Sequence, residues 1–582
     1  MKKSKLSLLK FLPLFAGLAL VTASAQAAPP PPPGGGPPAA PKSGPPSAPD
    51  ASPGAAEAGP PIPEGDPSAQ QDQAEAAYKA KSYEAAALTF QKISDASQGG
   101  DPARAKFWLG KSLFNLGFYA ASLSVFDEIV VAGPQHPYHA LTLTWLATLS
   151  RVLPEGAGVL EKIGTYRPSD LENEAFDEVR YELFYLLGRF YYQKGDLGQA
   201  IALLSEVPQN DDFYIPAQYF LGVAETREFH GPEAVEAFKN VLRQNIELHK
   251  KTQGDQKGRA KQFSKMSDRK KKKLGISTAE LDFEEQNERF DELANIALGY
   301  IFYQVGKFEV GIKYFDRVPT ESPYWLDAVF AAAWSEFRLV EVEEEKANSH
   351  YQRTLGYVHT LNAPFFYDYL YPEALVLKAV TYYFNCRYGP AKVAIDEFSE
   401  RYVQTKNDLQ GVLDSAPEDF ELYELTVKIR EGKSDLDPFV ETVARKSLQD
   451  KTLEKNYAFV ERLEFEAGKQ FKELSGDVQN SGLGDLISEN LDISISVAKE
   501  ATGAIARQRL AAQVSEIKLL EREAIKVEYE ILNKLKLLGD EADTVSSKPE
   551  VDEEHEIYNY NGEYWQDELG YYFYKITSAC VE

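Results

Sequence analysis

Apolar and polar positions alternate along most of this chain with the three-and-four spacing of an α-helix, and the pattern repeats itself. Leu187 and Gly188 of "YLLGRFYYQKGDLGQAIALLSEV" fall on Leu221 and Gly222 of "QYFLGVAETREFHGPEAVEAFKNV" when the chain is shifted by 34 residues. Ala200 then falls on Ala234, and Val207 on Val241. The same Leu-Gly pair recurs at 109–110 and 298–299, with Gly117 and Gly306 after it. A period of this length predicts a helical hairpin that cannot bury its apolar face alone and therefore stacks on its neighbours.

Read this way, a first hairpin begins near Asp72, and others cover 104–133, 138–164, 177–207, 214–244, 289–318, 324–346 and 372–402. The glycines that close the first helices suit the left-handed conformation of a helix end; in the last hairpin Cys386 stands in that place. Beyond residue 404 the repeat fades. Leu510, Val514, Ile517, Leu520, Ala524, Val527, Ile531, Leu535 and Leu538 then form a stripe close to a coiled-coil seam, predicting one long helix over 489–538. Gly482, Gly484 and Gly503 argue that the seam does not start earlier. The helix is expected to pair with the preceding helix or with another chain.

The Leu187-Gly188-x2-Tyr191-x3-Gly195-x4-Ala200 and Leu298-Gly299-x2-Phe302-x3-Gly306 patterns resemble the tetratricopeptide repeat family. The resemblance implies an all-α, TPR-like α-solenoid of about eight hairpins over 68–404, with a helical, coiled-coil-like region at 405–538 and a small aromatic C-terminal segment. In this family the first helices line a groove that takes a peptide or a helix of another protein. Matching positions puts Phe107, Lys111, Phe114, Tyr185, Arg189, Tyr192, Tyr219, Arg227, Tyr300, Tyr303, Trp334 and Arg338 on that partner-binding surface. Packing between hairpins is the competing reading for each aromatic; the arginines argue more strongly for a surface. The Lys and Asn set with which some family members clamp acidic C-terminal tails is not present.

The two ends follow other rules. Residues 1–27 read as a bacterial signal peptide: Lys2, Lys3, Lys5 and Lys10, an apolar run from Phe11 to Val21, then Ala25-Gln26-Ala27, with Ala23-Ser24-Ala25 as a second cleavage pattern. Residues 28–67 hold sixteen of the 33 prolines and read as an extended linker. An exported, periplasmic protein, associated with the outer membrane, is the expectation, with no transmembrane span after cleavage. At the other end, 539–556 is an acidic linker, and 557–582 is an aromatic docking tail with Tyr564, Trp565, Tyr571 and Tyr572. Asn561-Gly562 suits a tight turn, and the tail either packs in cis or serves as a tag for a partner. Cys386 and Cys580 either pair or remain small apolar residues.

The formal charge of −26 disfavours binding to nucleic acid or anionic membranes by charge alone. Against it stands a basic insertion at 245–285, where residues 250–273 carry eleven Lys or Arg and two Asp. Such a run is a solvated loop or a charged helix extension, or else a contact through Lys270, Lys271, Lys272 and Lys273 with an anionic envelope polymer. Chemistry is sparse. His136-x2-His139 lacks further ligands at metal spacing, and Glu563, Asp567 and Glu568 lie in a tail that makes a poor catalytic frame. No enzyme activity and no cofactor are expected. The order of leader, proline linker, repeats, long helix and "NGEYWQDELGYYFY" is similar to periplasmic repeat proteins of gliding or predatory bacteria, which implies a scaffold binding envelope proteins within a trans-envelope motility complex. The alternative is a periplasmic adaptor or regulator of cell-wall enzymes or outer-membrane assembly.

Overall fold

Helical hairpins build the regular structure up to Phe398, and further helices with one long helix follow them. The computed structural model describes residues 67–95, 100–154, 157–172, 176–263, 278–366, 371–449, 451–538 and 563–580, and no strand forms among them. The expected leader and acidic linker lie outside these residues, as does the proline segment up to residue 66. So do Lys270, Lys271, Lys272 and Lys273. The chain forms two compact units, residues 24–291 with 451–502 (the N-unit) and 292–450 with 503–582 (the C-unit), counting described residues only.

In the N-unit the hairpins are α1 (Pro67–Lys79) with α2 (Tyr83–Asp95), α3 (Pro102–Asn115) with α4 (Tyr119–Ala132), and α5 (His139–Val152) with the short α6 (Val159–Ile163). They continue with α7 (Arg180–Lys194) and α8 (Leu197–Ser205), then α9 (Tyr214–Arg227) and α10 (Gly231–Phe263). Local chemistry sets the boundaries. Asp101 caps α3 by accepting from the Arg104 amide, with Pro102 as its first residue, and Asp196 caps α8 by accepting from the Gln199 amide. The helix α10 carries the expected basic insertion onward as far as Phe263.

The repeated Leu-Gly pair has a single physical cause. A Cβ on Gly110 would stand 2.7 Å from the Phe126 ring, on Gly188 2.7 Å from Leu204, and on Gly222 2.9 Å from Phe238. In the C-unit a Cβ on Gly299 would stand 2.4 Å from Phe315. In every case the first helix gives up a side chain so that a large residue of the second helix, sixteen positions later, can lie against its backbone. Close packing at that crossing fixes how the two helices of a hairpin meet. The turn position is less strict: Gly117, Gly195 and Gly306 have positive φ, but so do Lys81, Phe229 and Cys386.

The chain returns to the N-unit through α20 (Lys451–Phe465), α21 (Phe471–Glu473), α22 (Gly476–Gln479) and the start of the long α23 (Gly482–Leu538). Gln470 donates to the Leu116 carbonyl at 2.7 Å, Arg462 to the Gly117 carbonyl at 3.4 Å, and the Ser475 amide to Glu84 at 3.1 Å. These bonds tie the returning segment to the first two hairpins. Its sequence carries no repeat signal that would announce the contact.

The C-unit holds the end of α11 (Thr278–Gln304), α12 (Phe308–Phe315), α13 (Trp325–Leu339), α14 (Ala347–Leu361), α15 (Pro372–Phe384) and α16 (Tyr388–Phe398). It continues with α17 (Gln404–Ser415), α18 (Asp419–Glu431) and α19 (Pro438–Ser447). The hairpin expected at 324–346 is longer, because its second helix begins only at Ala347. The long helix is one 57-residue element, and Gly503 does not interrupt it. A Cβ there would stand 1.8 Å from the Asp419 carbonyl oxygen, so the glycine serves a close helix approach. The expected seam from Leu510 to Ile531 is buried within the C-unit. Arg507 pairs with Asp419 at 2.6 Å, Lys406 with Glu521 at 2.6 Å, and Lys392 with Glu528 at 3.3 Å. The helix therefore packs across α16, α17 and α18 in the C-unit, while in the N-unit its first part lies against the preceding helix α20, with Lys499 2.9 Å from Glu464.

Candidate partner-binding surface

First helices follow one another as neighbours in the N-unit: α1 lies against α3, α5 against α7, and α7 against α9. Their residues divide into those that hold the stack together and those that reach its surface. Phe107, Phe114, Tyr185, Tyr192 and Tyr219 are buried, and so are Arg189 here and Tyr300 in the C-unit. Placing them on an open surface is corrected by the contacts they make. Phe107 stacks on Tyr138 at 4.9 Å, Phe114 meets Trp145 edge-on at 5.4 Å, and Tyr185 lies 5.4 Å from Phe213. Tyr192 meets Phe220 edge-on at 6.0 Å, Tyr219 sits 5.3 Å from Phe290, and Tyr300 lies 5.2 Å from Phe315. Aromatic rings fill the space between hairpins because they bury large area in well-defined geometry.

The arginines are explained by the same rings. Arg189 is 1% exposed and its guanidinium lies over Phe220 at 5.1 Å and Tyr185 at 5.5 Å. Burial pushes it down to about 9. A planar, weakly hydrated cation is at home against an aromatic face, so a packing site does have use for arginine. Lys455 of α20 is pushed down to about 7 by burial and by the charges of Arg289 and Arg189.

Half-buried positions remain where a partner could reach. In the N-unit these are Lys111 and Arg227, the latter over the Tyr192 ring at 5.0 Å. In the C-unit they are Tyr303, Trp334 and Arg338, with Tyr303 5.2 Å from Phe308 and Arg338 over the same ring at 5.3 Å. The richest cluster centres on residues that the repeat register did not single out. Tyr78 of α1 and Trp108 of α3 are half-buried and meet edge-on at 5.0 Å, and Asn115 donates to the Tyr78 hydroxyl at 2.9 Å. Lys111 lies across Trp108, with Trp145 of α5 close behind. The signal in the sequence was there, since Trp108 stands one helical turn before Lys111.

The His139 ring stacks on Tyr166 at 4.3 Å, and His136 accepts a bond from the Tyr138 amide at 3.2 Å. Glu563, Asp567 and Glu568 are exposed. Among the described residues no helix is long and apolar enough to cross a membrane.

The tail occupies a groove of its own in the C-unit. Its Tyr574 amide donates to the Gln352 carbonyl at 3.2 Å, its Ala579 amide to the Asn385 carbonyl at 2.9 Å, and Gln352 donates to the Ile576 carbonyl at 2.6 Å. Tyr564 stacks on His359 at 4.5 Å, and the Tyr572 ring meets the same imidazole edge-on at 4.9 Å. Burial pushes His359 down to about 4, so a neutral ring receives the two tyrosines. A Cβ on Gly356 would stand 1.8 Å from the Tyr572 carbonyl oxygen. Cys386 and Cys580 form a disulfide, which closes the tail onto the turn after α15. Trp565 and Tyr571 are exposed. Asn561 and Gly562, where a tight turn was expected, lie outside the described residues, and the tail that follows is a 3₁₀ turn at Gln566–Glu568 and an extended segment.

No curated protein matches the chain at a significant level. A family model described as tetratricopeptide repeat matches residues 72–137, the stretch from α1 to the end of the second hairpin that carries Tyr78, Trp108 and Lys111. Repeats of this kind are in general non-catalytic modules for protein–protein interaction. Residues 72–137 are thus similar to the tetratricopeptide repeat family, and the stacked hairpins with their recurring Leu-Gly crossing are in keeping with that likeness.

Proposed function

We propose that the chain is an exported, non-enzymatic scaffold that holds envelope proteins together in the bacterial periplasm, near the outer membrane, as a structural part of a trans-envelope motility complex. The observation that carries the reading is the half-buried cluster of Tyr78, Trp108 and Lys111 on successive first helices, where this family takes up its partners. The N-terminal leader pattern supports export. So does the Cys386–Cys580 disulfide, a bond that persists in oxidising compartments. The order of linker, repeats, long helix and aromatic tail supports the motility assignment. A test replaces Tyr78 and Trp108 together by alanine in the intact protein. Capture of exported partners, identified by mass spectrometry after crosslinking, should be lost while the thermal unfolding transition stays cooperative. Undiminished capture of the same partners would remove the first-helix surface from the account.

A further inference from the structure

Lys111 follows Trp108 by three residues and Phe107 by four on α3, so its side chain folds back over both. Its Nζ lies 3.4 Å from the centroid of the Trp108 ring and 5.5 Å from that of Phe107. Neighbouring first helices complete the enclosure: Tyr78 of α1 lies 5.1 Å from the same nitrogen, and Trp145 of α5 lies 5.6 Å from it. Four rings from three helices thus surround one ammonium. The walls are fixed independently of the lysine. Trp108 stacks on Phe90 at 6.1 Å, Trp145 stacks on Phe126 at 5.9 Å, and Asn115 holds the Tyr78 hydroxyl. Enclosures of this kind bind cations through the negative faces of their rings, and the preference extends to quaternary ammonium and guanidinium groups.

We propose that this cage is a binding site for the ammonium or guanidinium group of a partner protein's Lys or Arg side chain, with Lys111 as a placeholder that the incoming cation displaces. This rests on the reading of the first helices as the partner-binding surface and names the chemistry that the surface selects. Three observations support it. Tyr78, Trp108 and Lys111 are half-buried, so the cage opens to solvent on one side, and the lysine has a flexible four-carbon stem on which to swing out. Burial pushes Lys111 down to about 8, and of the charged groups on α1 facing it Lys79 adds to the fall while Glu75 opposes it. Glu75 is itself paired with Arg104 at 2.5 Å, and Arg104 also reaches Asp72 at 3.5 Å. Tyr78 faces the lysine from α1 as a neutral phenol, burial having raised it well above its ordinary value, and α5 contributes the Trp145 ring. Finally, a chain of formal charge −26 is complementary to a basic partner.

The experiment uses the full chain and tetramethylammonium chloride as probe, followed by ligand-observed NMR titration, with 3,3-dimethylbutanol as a neutral control of similar shape. Lys111→Ala should bind the cation about tenfold more tightly than the wild type, since it empties the cage. Adding Trp108→Leu should abolish that gain. In the unmodified protein the affinity should rise between about pH 7 and about pH 9 as Lys111 loses its proton, which keeps the test decisive if a variant fails to fold. The proposal is overturned if Lys111→Ala binds no better than wild type, if the neutral control binds as well, or if wild-type affinity is flat with pH. Any of these alongside partner capture that still depends on Tyr78 and Trp108 would leave the scaffold reading intact and remove only its cationic specificity.

Discussion

Asp327 of α13, Glu373 of α15 and Glu516 of α23 bring three carboxyl groups near one another in half-buried positions of the C-unit. Burial is the largest influence on each, pushing Asp327 up to about 6, Glu373 up to about 8 and Glu516 up to about 7. Mutual repulsion adds to the rise of Glu373 and Glu516, while the Tyr371 hydroxyl, 2.9 Å from Asp327, opposes that of Asp327. Protonated carboxyls are therefore favoured in the folded chain more than in the unfolded one, where the ordinary values are 3.8 and 4.5. The stabilisation they lend is complete below those ordinary values and is lost as pH rises through 6 to 8. Urea unfolding should show the midpoint falling between about pH 5 and about pH 8, and Glu373→Gln should flatten the fall. A midpoint that rises over this range, or a variant with an unchanged profile, would contradict the assignment.

Among the elements, the aromatic tail binds its own chain with the specificity of a ligand. An extended segment gains two backbone bonds and one from Gln352, and it passes so close to α14 that residue 356 has no room for a side chain. The disulfide links residues 194 apart. On the chain-entropy account a loop of that size stabilises by about 5 kcal/mol. Cys580→Ser should accordingly lower the melting temperature of the oxidised protein by several degrees, on the order of that loss. It should also raise hydrogen exchange in 569–579, and unchanged values would mean that the tail is held without its tether. The element scale is also where the sequence was most and least legible. Hairpins announced themselves because the Gly110, Gly188, Gly222 and Gly299 crossings repeat one packing solution. The attachment of Gln470 and Arg462 to the Leu116–Gly117 turn did not, since it joins parts of the chain 354 and 345 residues apart through single polar bonds. The long helix predicted over 489–538 begins earlier, at Gly482, and what Gly503 does within it, admitting the Asp419 backbone, could not be read in one dimension.

At the scale of the whole molecule, the chain forms two units, each with buried and half-buried residues on its first helices. Burial of Tyr185, Arg189, Tyr192 and Tyr219 was not legible, because residue type and register alone do not separate a ring between hairpins from a ring on their surface. The cluster at Tyr78, Trp108 and Lys111 needed three helices to be assembled before it became a cage. Recognition through that face, rather than through the second helices, is the central claim. The most direct measurement places a photo-crosslinking amino acid at residue 108 of the chain in living cells, and separately at Val131 of α4, which is 81% exposed. Illumination should link residue 108 to a defined set of exported proteins and leave Val131 without them. The same proteins captured from both positions, or from Val131 alone, would contradict the account.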